Sequence, residues 1–418
     1  MLYPLHEMQR DAMKPIAAWS QVMSNAMTHP FNPFASNPFV KRMAAGYDLL
    51  NRLGKDYEKP NWDLDTTVLA GKTVKVCIDT AQALPFCNLL HFRKDTGKPS
   101  QQATVLLVAP LSGHHATLLR DTVRALIPHY EVYVTDWVDA RMVPVSQGAF
   151  HLDDYVAYTM DFVRLLHGKK AKTSKGIHLI SVCQPTVPVM AAVSLLATLK
   201  DPACPASMTM MGGPIDPRAN PTTVNNLATT KPYSWFEKTV IHTVPDNYPG
   251  HGRRVYPGFL QHTGFVAMNP DKHLMSHWDY FTDLVKGDEQ DIDAHRRFYD
   301  EYNAVLDLDA DYYLDTIKTV FQDHALPTST WDVHVGGKPM RVRPQDIKKT
   351  ALFTIEGELD DISGSGQTQA AHGLCSGIAA KHKQHFTAPA CGHYGIFSGR
   401  RWREVICPQI QTFIAAYD

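Results

Sequence analysis

Apolar residues recur at helical spacing twice in the first sixty positions, in MQRDAMKPIAAWSQVMSNAM and again in FVKRMAAGYDLLNRL. These patterns predict helix, loop, helix, with the loop HPFNPFASNPF supplying the prolines and asparagines that stop a helix. The three phenylalanines of that loop are expected to pack on the domain behind them, because phenylalanine clusters usually find a partner; an exposed apolar arm is the alternative.

After residue 65 the period changes. TVKVCID and FCNLLHFRK are rich in strand formers and suit a first antiparallel pair. Strand and helix patterns then alternate: ATVLLVAP, a helix from HATLLRDTVRALIPH, EVYVTDW, a helix around LDDYVAYTMDFVRLLHG, GIHLISV, a helix from VPVMAAVSLLATL, and ASMTMMGGPID. The strands are continuous apolar runs, as expected of a parallel sheet covered on both faces. From about 217 to 345 the rhythm gives way to a segment rich in aromatics and histidines, including YSWF, HWDYF and DYYLD. It resumes with KTALFTIEG, a helix around SGQTQAAHGLCSGIAA, the strand KQHFTAPA and a closing helix REVICPQIQTFIAAY. The expected architecture is α/β, a doubly wound and mostly parallel sheet interrupted by an insertion. Its segments are a helical extension at 1–64, a first core part at 65–216, the insertion at 217–345 and a second core part at 346–418.

Composition narrows the function. At 418 residues and 44% hydrophobic the chain is long enough for a substantial core. A formal net charge of −1 leaves no basic excess for phosphate neutralisation, which argues against a nucleic-acid partner. The N-terminus lacks a basic region followed by an apolar one, and no apolar run approaches the roughly 18 residues of a transmembrane helix. Seven scattered cysteines form no disulfide framework, so a cytoplasmic location with reduced thiols is expected.

In a parallel sheet the reactive side chains sit at the carboxyl ends of the strands. Cys183 ends GIHLISV, Asp360 follows TIEG in the loop GELDDIS, and His393 follows the last strand in ACGHYGIF. Nucleophile, acid, histidine is the chain order of the α/β-hydrolase triad. The nucleophile must stand on a tight turn, the histidine must shuttle its proton, and the carboxylate must fix the histidine tautomer. The usual frame G-x-S-x-G is replaced here by Ser181-Val182-Cys183-Gln184-Pro185, with a small residue first and a proline suited to the first helical turn. Free cysteines are often core residues, yet a thiol at a helix N-terminus beside a histidine is set up to ionise. With the other two loops in order, Cys183 is expected to be the nucleophile. Asp360 is preferred to Asp361 because Gly357-Glu358-Leu359-Asp360 matches the G-x-x-D turn of this fold.

The oxyanion donors are expected to be the backbone N–H of Gln184 and that of Leu111 or Ser112, which the sequence does not decide between. His114 and His115 could be read as metal ligands, but adjacent histidines rarely share an ion and no HExxH or CxxC pair accompanies them, so no metal is expected. GSGQT lacks the G-K-[ST] ending of a phosphate loop.

The elbow SVCQPTVPVMAA, the segment MGGPIDPR, the acid loop EGELDDISGSGQT, the histidine loop GHYGIFSGRRW, the stretch TDWVDAR and the start MLY together resemble the intracellular polyhydroxybutyrate depolymerases with a cysteine nucleophile. The resemblance runs over nearly the whole chain. It implies an α/β-hydrolase with Cys183, Asp360 and His393 as triad, acting without metal or cofactor on native amorphous poly(3-hydroxybutyrate) granules in the cytoplasm. The partner it implies is the granule surface, and the aromatic insertion would be a lid or polymer-contacting surface, although most of its aromatics are expected to be core. The phenylalanine loop is a second candidate for granule contact. Rival readings are a polyester synthase, whose G-x-C-x-G-like frame Ser181 and Pro185 depart from, a thiolytic enzyme using coenzyme A as acyl acceptor, and a non-catalytic granule coat. Whether the chain forms a homo-oligomer is left open.

Overall fold

The computed structural model describes residues 2–98, 100–171 and 174–418. It begins with two helices, α1 (Leu2–Thr28) and α2 (Pro38–Gly54), packed against each other as a hairpin. Asn37 caps α2 by accepting from the Phe39 N–H at 2.8 Å, and Pro38 opens it where no N–H is needed. The loop phenylalanines do not pack on the domain. Phe31 is 90% exposed, and Phe34 and Phe39 are exposed as well. The reason lies in α1, whose inward face is Tyr3, Glu7, Ala17, Ser20 and Ser24, so the hairpin tip carries no apolar ledge for the rings to fold under.

The core then builds β1 (Thr66–Leu69), β2 (Lys72–Ala83), β3 (Cys87–Lys94), β4 (Thr104–Val108), α3 (Arg120–Leu126), β5 (Glu131–Trp137), α4 (Leu152–Lys169), β6 (Ile177–Val182), α5 (Thr186–Thr198) and β7 (Ser207–Met211). The insertion holds α6 (Thr223–Thr230), α7 (Tyr233–Thr239), β8 (His242–Thr243), β9 (Arg254–Tyr256), α8 (Gly258–Met268), α9 (Pro270–Lys286), α10 (Glu289–Asn303), β10 (Leu308–Asp309), α11 (Ala310–Thr316) and the hairpin β11 (Asp332–Val335) with β12 (Lys338–Arg341). Strands β8, β9 and β10 form their own small sheet. The core resumes with β13 (Ala351–Gly357), α12 (Ala371–Leu374), β14 (Lys383–Ala388), α13 (Gly399–Arg401) and α14 (Cys407–Ala415).

One nine-stranded sheet runs in the order β1-β2-β3-β5-β4-β6-β7-β13-β14. The β1–β2, β2–β3 and β3–β5 pairs are antiparallel, and every pair from β5 onward is parallel. Burial follows this split. Every residue of β4, β6, β7 and β13 is buried, whereas the outer strand β2 is largely exposed. This is the α/β-hydrolase architecture, with an N-terminal helical region added.

Two sequence expectations change. β1 pairs with β2 as an edge strand that its short TTVL run did not announce. The helix expected around residues 365–380 is reduced to α12, because the buried Glu356 carboxylate accepts the N–H groups of Gly366 (2.8 Å), Thr368 (2.7 Å) and Gln369 (2.8 Å). Those donors coil around an internal anion, and the glycines tolerate the turn.

Among the described residues, no helix is long and apolar enough to cross a membrane.

Candidate active site

β6 is a buried run that ends at Val182, and α5 starts at Thr186, leaving three residues to reverse from strand to helix. Cys183 makes the turn at φ +69°, a left-handed conformation that costs a non-glycine residue about 1–2 kcal/mol. Two backbone bonds hold it there: the Cys183 N–H donates to the Met211 carbonyl at 2.7 Å, and the Thr186 N–H donates to the Cys183 carbonyl at 3.1 Å. α5 is buried on all sides through Leu196, which anchors the elbow from below. Its first turn contains Pro188, tolerated there because the N–H it lacks has no intrahelical acceptor.

The strand-end glycines of β7 make the elbow possible. Gly213 lies so close that a Cβ there would overlap the Thr186 hydroxyl and the Cys183 carbonyl oxygen. At Gly212, φ +55°, a Cβ would stand 2.5 Å from Ile396 Cδ1 and 3.3 Å from both Asp360 Oδ2 and His393 Cε1. Gly213→Ala is therefore expected to cost about 1–3 kcal/mol of stability by overpacking and to lower turnover at least about ten-fold by displacing the elbow. Thermal unfolding read beside kcat checks both, and a variant with wild-type values in each would contradict this packing.

Asp360 and His393 come together at the carboxyl ends of β13 and β14. His393 Nδ1 donates to Asp360 Oδ2 at 2.8 Å, and both side chains are buried. The other oxygen, Asp360 Oδ1, accepts the N–H groups of Ile362 (2.9 Å) and Ser363 (2.8 Å), which fixes the carboxylate plane. A carboxylate can only accept, so Nδ1 carries the proton and Nε2 is left for the thiol. Burial penalises a charged imidazole, but Cys183 and the Asp360 carboxylate override it, and His393 is raised well above the ordinary histidine range. Asp361 is exposed and accepts instead from Asn269 Nδ2 at 3.3 Å, across to the insertion.

The loop after β4 places Leu111 in the interior and Ser112 at its edge. Its carbonyls are spoken for: Trp137 and Tyr155 donate to the Ala109 carbonyl at 2.8 and 3.1 Å, and Tyr312 donates to the Leu111 carbonyl at 3.0 Å. The N–H groups of Gln184, Leu111 and Ser112 have no protein acceptor among the described residues. The buried Gln184 amide is likewise without a partner.

His114 and His115 follow Gly113 in the loop after β4. Both are buried, which lowers their pKa values to about 4 and about 3, and His114 Nε2 faces the Tyr302 carbonyl at 3.2 Å. Among the described residues, no group of three or more histidine, cysteine or acidic side chains converges as metal ligands. A cavity of about 590 Å³ lies away from Cys183, between α1, α2 and the insertion, and its wall includes Met13, Leu53, Phe259 and Leu274.

Sequence reasoning missed the glycine pair, the Tyr155 and Tyr312 braces, and the link between acid loop and elbow. In that link the Thr368 hydroxyl accepts the Gly213 N–H at 2.8 Å and donates to the Gly213 carbonyl at 2.9 Å. The signal was available in MGGPID, where two consecutive glycines end a buried strand.

Residues 212–418 match the model of the PHB de-polymerase C-terminus family. The matched segment contains Asp360 and His393 and begins after the Cys183 elbow. No curated protein matches the chain in sequence. Solved structures similar to it include a 2-hydroxy-6-oxo-6-phenylhexa-2,4-dienoate hydrolase from Rhodococcus sp. strain RHA1 (11% identity, 82% of this chain and 99% of that one, TM-score 0.43). A monoacylglycerol lipase from Paleococcus ferrophilus is similar at 11% identity over 76% of this chain and 98% of that one, TM-score 0.41. A carboxylesterase from Bacillus subtilis is similar at 11% identity over 91% of this chain and 99% of that one, TM-score 0.39. The C-terminal segment is thus similar to that of PHB depolymerases, and the strand order is that of the α/β-hydrolase fold.

Proposed function

We propose that the chain is an intracellular depolymerase that cleaves the ester bonds of native amorphous poly(3-hydroxybutyrate) granules through Cys183, His393 and Asp360 and releases 3-hydroxybutyrate monomers and oligomers. The observation that carries this reading is a strained cysteine elbow facing a buried His393–Asp360 pair, with the pair inside the segment that matches the PHB de-polymerase C-terminus.

The geometry supports the following chemistry. The Cys183 thiol gives its proton to His393 Nε2 as Sγ adds to an ester carbonyl, and the developing oxyanion is received by the free N–H of Gln184 and that of Leu111 or Ser112. Nε2–H of His393 gives its proton to the departing alkoxide oxygen, which leaves as the hydroxyl end of the shortened polymer. The acyl group remains as a thioester on Sγ. A water then gives its proton to His393 Nε2 and attacks the thioester, the C–S bond breaks with Sγ taking that proton back, and the acid leaves. Asp360 holds the tautomer and the charge throughout. No metal and no bound cofactor enter this scheme.

The test is the release of soluble 3-hydroxybutyrate species from amorphous granules, with and without coenzyme A. Equal release in both is expected. No release in either condition would sink the depolymerase reading, and 3-hydroxybutyryl-CoA as the main product would make coenzyme A, not water, the acceptor.

A further inference from the structure

Helix α1 is built inside out. It buries a glutamate, an alanine and two serines besides Tyr3, and it turns Leu5, Met8, Ile16, Trp19 and Val22 to solvent. Met8 is 69% exposed and Val22 64%. At about 100° per residue, positions 4, 5, 8, 12, 15, 16, 19, 22, 23 and 26 fall in one sector of about 120°, and none of them is charged. The row runs the length of a 27-residue helix, about 40 Å, and turns the corner onto exposed Phe31 and Phe34 at the hairpin tip. An amphipathic helix that only packed on its own domain would show the opposite face.

The charges of α1 say what kind of surface fits. Arg10 is paired with Glu7 at 2.7 Å and Asp56 at 3.3 Å, and Lys14 with Asp11 at 2.9 Å and Asp56 at 3.0 Å. The cations of this helix are thus neutralised within the protein, unlike the basic flanks of helices that seek anionic lipid. The face presents neither sign of charge, which complements an uncharged aliphatic solid. A second helix fits less well, because Pro15 and the bulky Trp19 interrupt the row where a two-helix seam needs regular interlocking side chains, and because the apolar surface continues around the tip.

The arm is also tied to the site. Arg296 of α10 pairs with Asp48 of α2 at 3.0 Å, and Arg52 of α2 pairs with Asp300 of α10 at 3.0 Å. From the same α10, the Phe298 ring meets Tyr394 at 6.4 Å between centroids, and Tyr394 is the residue after His393. A body docked through α1 is therefore connected through α2 to the helix that reaches the histidine loop.

We propose that the outer face of α1, with the hairpin tip, is the surface by which this protein docks on its uncharged, water-insoluble polyester. This rests on the polyester reading above. The probe is full-length Cys183→Ala protein mixed with amorphous poly(3-hydroxybutyrate) particles, compared with the same protein carrying Leu5→Ser, Met8→Ser, Trp19→Ser and Val22→Ser. Bound protein at equal particle area is expected to fall about ten-fold or more on the serine background. The melting temperature should fall by only a few degrees, because the four side chains are more than half exposed and, of them, Trp19 makes a ring contact, with Tyr47 of α2 at 5.3 Å. With Cys183 restored, turnover of a soluble short-chain ester should persist while granule turnover falls in step with binding.

Undiminished particle binding by the serine variant would overturn the proposal. So would a dimeric parent that becomes monomeric in the variant with particle binding intact, which would assign the face to a second copy. Because Lys41 and Arg42 of α2 are exposed, a third arm uses vesicles of anionic phospholipid; tighter binding there than to particles would assign the face to a membrane. Failure of the depolymerase reading is distinguishable, since it would leave particle binding through α1 intact while wild-type protein released no product.

Discussion

Cys183→Ala is expected to lower the release of soluble products from amorphous poly(3-hydroxybutyrate) by about 10⁴-fold or more, with little change in folding. The size of the effect follows from the role. Without Sγ there is no thioester, and the remaining oxyanion donors and the His393–Asp360 pair have no nucleophile to serve. Folding should survive because Cys183 is only partly buried and alanine can take the same turn at the same conformational cost. Cys183→Gly sharpens the point. Glycine adopts φ +69° freely, so this variant should be equally inactive yet no less stable than wild type. A core cysteine would behave in the opposite way, losing stability on truncation while activity held.

Asp360→Asn and Asp361→Asn should part company by orders of magnitude. Asparagine at 360 replaces an acceptor of His393 Nδ1–H by a group that can present an N–H instead, which favours the wrong tautomer. A loss of about 10²–10⁴ in kcat is expected. Asp361 is exposed and accepts a hydrogen bond from Asn269 rather than from His393, so its amide should stay within about two-fold of wild type. If only Asp361→Asn abolished turnover, the acid assignment would be wrong.

The pH profile carries the same distinction. His393 is raised well above the ordinary range, so the imidazolium persists through neutrality and the alkaline limb of kcat/KM should lie well above pH 6.5. Removing the Asp360 charge should move that limb downward, because one of the interactions opposing burial is lost. In stability the sign is that of a raised histidine: the contribution is full below the unfolded value near pH 6.5 and is lost as pH rises through the folded value. Asp360→Asn should therefore flatten the loss of stability seen on the alkaline side, which pH-dependent thermal unfolding would reveal.

The candidate site was legible in the sequence to the extent that single strands were. GIHLISV, KTALFTIEG and KQHFTAPA are apolar runs cut off by polar turns, so their ends could be located within a residue or two, and the side chains at those ends could be put in order. What could not be read are contacts made across the chain. Gly213 has to be glycine because of Thr186 and Cys183, and the GSGQT loop coils because of the Glu356 carboxylate, which is set eight or more residues earlier. The choice between Asp360 and Asp361 rested on a motif, while the distance of 2.8 Å to His393 rests on how β13 and β14 align. The helical pattern of α1 was also read correctly, but periodicity reports that one face is apolar and not which way it points. Packing on Tyr3, Glu7, Ala17, Ser20 and Ser24 turned that face outward, and with it the phenylalanines expected to be covered.

The most direct measurement is mass spectrometry of the enzyme stopped with acid during turnover of a 3-hydroxybutyrate oligomer and then digested. The predicted result is a 3-hydroxybutyryl or oligomeric acyl adduct on the peptide containing Cys183, removed by hydroxylamine and missing from Cys183→Ala. Turnover accompanied by an unmodified Cys183 peptide, or by an acyl adduct on another residue, would contradict the account.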